Sequence, residues 1–168
     1  VALAGAGALI WRRGAQVLSL FFIISLVWCS TAFAWGPSAH ELITREAIQL
    51  LPDELRPFYE SNDRYIIAFC TLPDDWRVTY KETGPEHYFD MDMLDAAPFD
   101  KVRGDRETIE DRFGRDEVEK AGLLPWTTED RYKKLLTAMK KKDSIEIVLQ
   151  SALLAHFVGD AHVPFHAT

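Results

Sequence analysis

Cysteine is scarce: two in 168 residues, Cys29 and Cys70, too few for a disulfide framework. No segment alternates apolar and polar residues long enough to predict a half-buried strand. Glycine (9) and proline (8) are too few for a collagenous or low-complexity chain. Acids are missing altogether before Glu41, and the only basic residues before it are Arg12 and Arg13. Positive charge is in deficit overall, 19 Lys and Arg against 26 Asp and Glu, a net charge of −7. Strong nonspecific binding to duplex DNA needs a basic surface that releases counterions, so that class is disfavoured. A metal-bearing site that handles phosphate is not, because the metal supplies its own positive charge.

What is present begins with a targeting pattern. Arg12 and Arg13 precede the apolar run from Val17 to Trp28, and Cys29-Ser30-Thr31-Ala32-Phe33-Ala34 ends it. Basic flank, apolar stretch and a small-x-small ending make up a secretory signal peptide, with cleavage expected after Ala34. Trp35 then becomes the amino terminus, and the protein is expected to be secreted or periplasmic with no transmembrane segment after cleavage. The alternative is an uncleaved anchor, since Gly14 to His40 carries no formal charge and is long enough to span a bilayer. Once residues 1–34 are removed, only Cys70 remains, expected as a small buried hydrophobe.

Residues 35–168 read as one all-α domain. Ser38-Ala39-His40-Glu41 predicts a capping box, followed by Ile43, Ala47, Ile48 and Leu51 at helical spacing until Pro52. A short amphipathic piece covers Asp53 to Tyr59, and another from Asn62 to Phe69 is expected to bury Tyr65, Ile66 and Phe69. Leu72-Pro73-Asp74 breaks it, and Thr79 to Glu86, with Gly84-Pro85, reads as a loop. Asp100 to Gly122 predicts short helices stopped at Gly104, Gly114 and Gly122. Trp126 to Lys141 predicts a helix with Tyr132, Leu135, Leu136 and Met139 inward. Asp143-Ser144-Ile145-Glu146 predicts a second capping box, opening an apolar helix through Asp160. Lys140-Lys141-Lys142 falls at a helix end, where cations favour the dipole, and reads as a solvated face.

Five histidines and several aspartates stand out. His156 and Asp160, at i and i+4, share one face of a helix that is otherwise apolar. Burying both is costly unless something satisfies them, and a bound metal would do so. His166 follows Pro164 in a turn able to fold back toward the same point. Asp74 and His87 add a carboxylate and an imidazole in what read as non-repetitive segments. The His and Asp set suits zinc better than calcium or magnesium. Each residue alone has a plainer reading: the His–Asp pair as a surface hydrogen bond, His87 as a core residue, His162 as structural.

Four motifs occur in order: Trp35-Gly36-Pro37-Ser38-Ala39-His40, Pro73-Asp74-Asp75-Trp76-Arg77, Glu86-His87-Tyr88-Phe89-Asp90, and His156-Phe157-Val158-Gly159-Asp160-Ala161-His162-Val163-Pro164-Phe165-His166. Over Trp35 to Thr168 the chain resembles the trinuclear-zinc phosphodiesterases, which comprise bacterial zinc-dependent phospholipase C and the fungal and plant single-strand-specific nucleases. Gly122-Leu123-Leu124-Pro125-Trp126 and Ala161 to Pro164 look like the bacterial, phospholipase C-like branch.

The resemblance implies a multi-helix bundle around up to three zinc ions. One would be held by the amine and carbonyl of Trp35 with His40 and Asp160. A second would be held by Asp74, His87, His156 and the bridging Asp160. His166 would be the first ligand of a third. Asp74 fits the ligand position better than Asp75, because Arg77 stands three residues after it as in the family. Asp74 would also orient the attacking water or take its proton, which makes it the expected catalytic residue. The substrate would be a phospholipid or single-stranded nucleic acid, with no stable protein partner. In the family a further His and an acid follow on another helix, so the chain is expected to be incomplete at its carboxyl end. That would leave an apolar face on the His156 helix open and activity low. The reading from a different class is a non-catalytic domain in which zinc only staples helices.

Overall fold

The computed structural model describes residues 36–164 and 166. Residues 1–34, where a targeting segment is expected, and Trp35 lie outside the described residues, as do Phe165, Ala167 and Thr168. The described residues form eight α-helices and three 3-10 turns, with no strand among them. The helices are α1 (Pro37–Gln49), α2 (Arg56–Ser61), α3 (Asp63–Phe69), α4 (Leu72–Thr79), α5 (Arg106–Phe113), α6 (Arg115–Ala121), α7 (Leu124–Lys141) and α8 (Ser144–Asp160). The 3-10 turns span Lys81–His87, Met91–Met93 and Asp100–Val102. The all-α expectation therefore holds. Among the described residues no helix is long and apolar enough to cross a membrane.

α8 is the axis of the domain. It is apolar on nearly every side, the pattern of a helix surrounded by protein. Val148 and Ala152 join Ile48, Tyr59, Ile66, Ile67 and Cys70 in one core cluster. Phe157, a turn further on, joins Phe89, Val102, Ala121 and Leu124 in a second. α7 packs most extensively on α8, and α1 and α3 cover other sides. The helix starts where the sequence predicts, because the Asp143 carboxylate accepts the Glu146 N–H at 3.1 Å. The reciprocal half of the box does not form: the Glu146 carboxylate accepts from Gln150 instead.

Several sequence expectations need correction. The first capping box is absent. Pro37 lies in the first turn with Gly36 as the cap, and no side chain caps the helix. Proline presets the helical φ and has no N–H to satisfy, so α1 begins one residue before Ser38. Along α1 it is Thr44 that is buried with Ile48, while Ala47 is exposed. Tyr65, Tyr132 and Leu136 face solvent, and α3 buries Ile66 and Ile67 while α7 buries Leu135 and Ala138. Large apolar side chains attracted the assignment, but a close helix contact favours a small one such as Ala138. The segment from Thr79 to Glu86 is not irregular: most of it forms the turn Lys81–His87. Asp74 lies in the first turn of α4 and not in a non-repetitive segment.

Glycine matters most at Gly122, where α6 ends with φ of 112°. A Cβ there would fall 2.0 Å from the Tyr88 carbonyl oxygen. The chain can thus lie flat on the extended segment after His87. Leu123 N–H donates to Pro85 O, Leu124 N–H to Tyr88 O, and Asp90 N–H to Ala121 O. On the other side Phe89 N–H donates to His166 O at 2.8 Å. Held on both sides, this segment fixes where His87 points.

Leu154, Ala155 and Val158 of α8 line an open apolar groove with Ala47, Ile48 and Leu51, with a cavity volume of about 240 Å³.

Candidate metal centre

Four elements deliver five side chains to one buried point. α1 brings His40, α4 brings Asp74, the turn Lys81–His87 brings His87, and the last turn of α8 brings His156 and Asp160. His40, His87, His156 and Asp160 are all buried, whereas Asp74 keeps about a fifth of its side chain open to solvent, at 20%. The cluster therefore has a closed side and an open one, and Asp74 stands at the opening.

Asp160 is at the centre, and its two oxygens face different partners. Oδ1 lies 3.5 Å from His40 Nε2. Oδ2 lies 2.9 Å from His87 Nδ1 and 3.1 Å from His156 Nε2. Asp74 Oδ1 lies 3.8 Å from His87 Nδ1 and 3.1 Å from Arg77 Nη2. The His40 and His156 rings stack at 4.1 Å. Two groups, His40–His156–Asp160 and Asp74–His87–His156, each offer ligand atoms within 4.8 Å of one another. Burial pushes the Asp160 carboxyl up, but the close His156, His40 and His87 rings outweigh it and hold the group well below the usual carboxylate range.

The donor set does not close on itself. His156 Nδ1 lies 2.8 Å from the Cys70 carbonyl oxygen, which only accepts, so Nδ1 carries a proton. Nε2 of a neutral ring then meets Asp160 Oδ2 lone pair to lone pair. Both ring nitrogens of His40 and Nε2 of His87 are buried without a hydrogen-bond partner. A cation relieves the conflict at Asp160 and His156 and takes one nitrogen of His40, because it binds imidazole and carboxylate lone pairs together. The residues fit zinc.

The structure thus assembles His40, Asp74, His87, His156 and Asp160, and it leaves Asp75 exposed on α4. His166 belongs to neither group. It follows α8 in a turn, and its partner in charge is Asp90, whose carboxyl it pulls down while burial and Asp92 raise it overall. His162 is exposed, and its Nδ1 lies 2.7 Å from Val158 O within its own turn. Cys70 is fully buried, also as expected.

Three contributors escaped the sequence. The Cys70 carbonyl orients His156. Thr44 is buried beside the cluster's first helix face, its hydroxyl without a partner. Gly159 gives the His40 ring room, with its signal in plain view between His156 and Asp160.

An all-helical domain that gathers three imidazoles and two carboxylates around one point has the makings of a metal-dependent hydrolase. Residues 35–168 match the family described as S1/P1 Nuclease, and the chain belongs to that family. The family is one of zinc phosphoesterases. No curated protein and no solved structure matches the chain.

Proposed function

We propose that the buried cluster holds zinc and that the chain hydrolyses phosphodiester bonds. The observation that carries this reading is Asp160, whose two oxygens face His40 on one side and His87 with His156 on the other. That is the layout of a carboxylate shared by two ions. Trp35, His40 and Asp160 would hold one, and Asp74, His87, His156 and Asp160 a second; His166 would begin a third. When bound, zinc supplies Lewis acidity that activates water and offsets charge on the phosphoryl group.

The protein's own residues divide the remaining work. Asp160 keeps three imidazoles directed at one point. Asp74, on the open side, accepts the proton of the attacking water on a carboxylate oxygen. Arg77, one turn along α4, fixes the direction of that carboxylate. Because the Trp35 amine is a proposed ligand, the signal segment has to be removed for full zinc loading. The protein would then act outside the cytoplasm, and the secreted form should begin Trp-Gly-Pro on N-terminal sequencing.

Single-stranded nucleic acid is the substrate we favour, because the matched family is one of nucleases. α4 also carries Trp76, two residues after Asp74, and the exposed Tyr80 follows its last residue; both are aromatic faces on which bases stack. A phospholipase C-like activity is the second reading, and it rests on Gly122 to Trp126 and Ala161 to Pro164. The first of these segments has a structural reason of its own, the close contact of Gly122 with Tyr88. The deciding experiment loads the secreted protein with zinc and measures two products. Nucleotide release from single-stranded DNA supports the favoured reading, and diacylglycerol release from phosphatidylcholine the second. Zinc binding with neither product would leave a metal-stapled structural domain.

A further inference from the structure

The Cys70 carbonyl is free to accept from His156 for a reason that lies three residues away. Cys70 caps the end of α3, its own N–H donating to Ile66 O. The chain turns at once into α4, and Asp74 N–H donates back three residues to Thr71 O at 3.1 Å. One step earlier in the same pattern, residue 73 would donate to Cys70 O. Residue 73 is proline, fully buried and without an N–H.

We propose that Pro73 is a positioning residue: lacking an N–H, it keeps a local donor off the Cys70 carbonyl, leaves that oxygen to His156 and so sets which ring nitrogen faces the metal centre. With Nδ1–H tied to the carbonyl, Nε2 presents its lone pair toward Asp160 and His87. Orientation of a ligand imidazole by its second nitrogen is a general device of metal sites. The consequence for affinity rests on the metal-centre reading above; the tautomer itself belongs to the metal-free chain. Proline in the first turn of a helix has an ordinary explanation, its preset φ. That explanation alone expects no change in the His156 ring.

The test uses the full chain labelled with 15N-histidine, metal-free. Long-range proton–nitrogen correlation spectra report the tautomer, and the wild type is expected to show Nδ1–H. Pro73→Ala supplies the missing N–H and should populate the Nε2–H form, with zinc affinity lowered about 10–100-fold. Pro73→lactic acid, introduced as an α-hydroxy acid, keeps the alanine side chain but has no N–H, and should restore both the tautomer and the affinity. A folded Pro73→Ala with an unchanged Nδ1–H ring overturns the proposal, as does a lactic acid variant that behaves like Pro73→Ala. Should Pro73→Ala fail to fold, Nε2–H in the wild type or the lactic acid variant still overturns it, and Nδ1–H in both supports it. If the wild type binds no zinc while the tautomers respond as expected, the metal-centre reading fails and the role of Pro73 stands.

Discussion

Gly159 makes room for His40: a Cβ at position 159 would lie 3.1 Å from His40 Nδ1 and 3.3 Å from Cε1. Those distances are short enough that the ring has to move, and it is a ring stacked at 4.1 Å on His156. Gly159→Ala therefore acts in two opposite directions. It favours the helix by about 1 kcal/mol, and it pushes a proposed ligand off its place. The expected outcome is a metal-free protein whose thermal midpoint is unchanged or raised, with weaker zinc retention during dialysis. Zinc retention equal to wild type would show that the His40 position is not critical.

Metal content gives the sharpest test of Asp160. Zinc-loaded protein should bind at least one ion per chain, and Asp160→Ala should lose more zinc than any other single substitution in the cluster, because its two oxygens would serve both proposed ions. Asp75→Ala, on the exposed side of α4, should lose none. A chelator should lower the unfolding midpoint, since free zinc at a hundred times its Kd stabilises a folded state by about 2.7 kcal/mol. Equal zinc content in Asp160→Ala and Asp75→Ala would remove Asp160 from the centre.

Burial raises the Cys70 thiol above its ordinary value of 9.0, and the nearby Thr44 hydroxyl lowers it by less. In the unfolded chain the thiol ionises near the ordinary value; in the folded protein it stays protonated to higher pH. Its contribution to stability is therefore complete below about pH 9, and it declines as pH rises from there toward the raised value. Urea unfolding at pH 7.5 and 9.5 should show a smaller decline in Cys70→Ala than in wild type. The folded protein should also react slowly with thiol reagents at pH 8 and quickly in denaturant. Fast labelling of the native state would contradict the buried placement.

Asp143 tests the start of the axial helix. Its carboxylate accepts the Glu146 N–H, and Asp143→Ala should destabilise the protein by about 1 kcal/mol, with Asp143→Asn close to neutral. Asn keeps the size and the accepting oxygen of Asp, so a chemical denaturation series that failed to separate the two substitutions would assign the effect to something other than the cap.

The local part of this protein is legible in one dimension. The 3.6-residue period places His156 and Asp160 on one face whatever surrounds them, and Pro52, Pro73, Gly114 and Gly122 stop or start helices through backbone chemistry of their own. Asp143 caps α8 three residues ahead of its donor for the same reason. The four motifs, read as a resemblance, pointed to the family that residues 35–168 match. What tertiary structure alone decided is where those helices meet. His40, Asp74 and His87 come from three other elements, and nothing in their spacing fixes a distance to Asp160. Burial followed the same division. Tyr65, Tyr132 and Leu136 are apolar enough for a core yet face water, while the small Ala138 and the polar Thr44 are inside. Which side of a helix is covered depends on the neighbour packed against it, and hydrophobicity sets only the tendency. The Cys70 carbonyl is the clearest case: every residue has such a group, and only the approach of α8 to the α3–α4 corner makes this one hold a histidine.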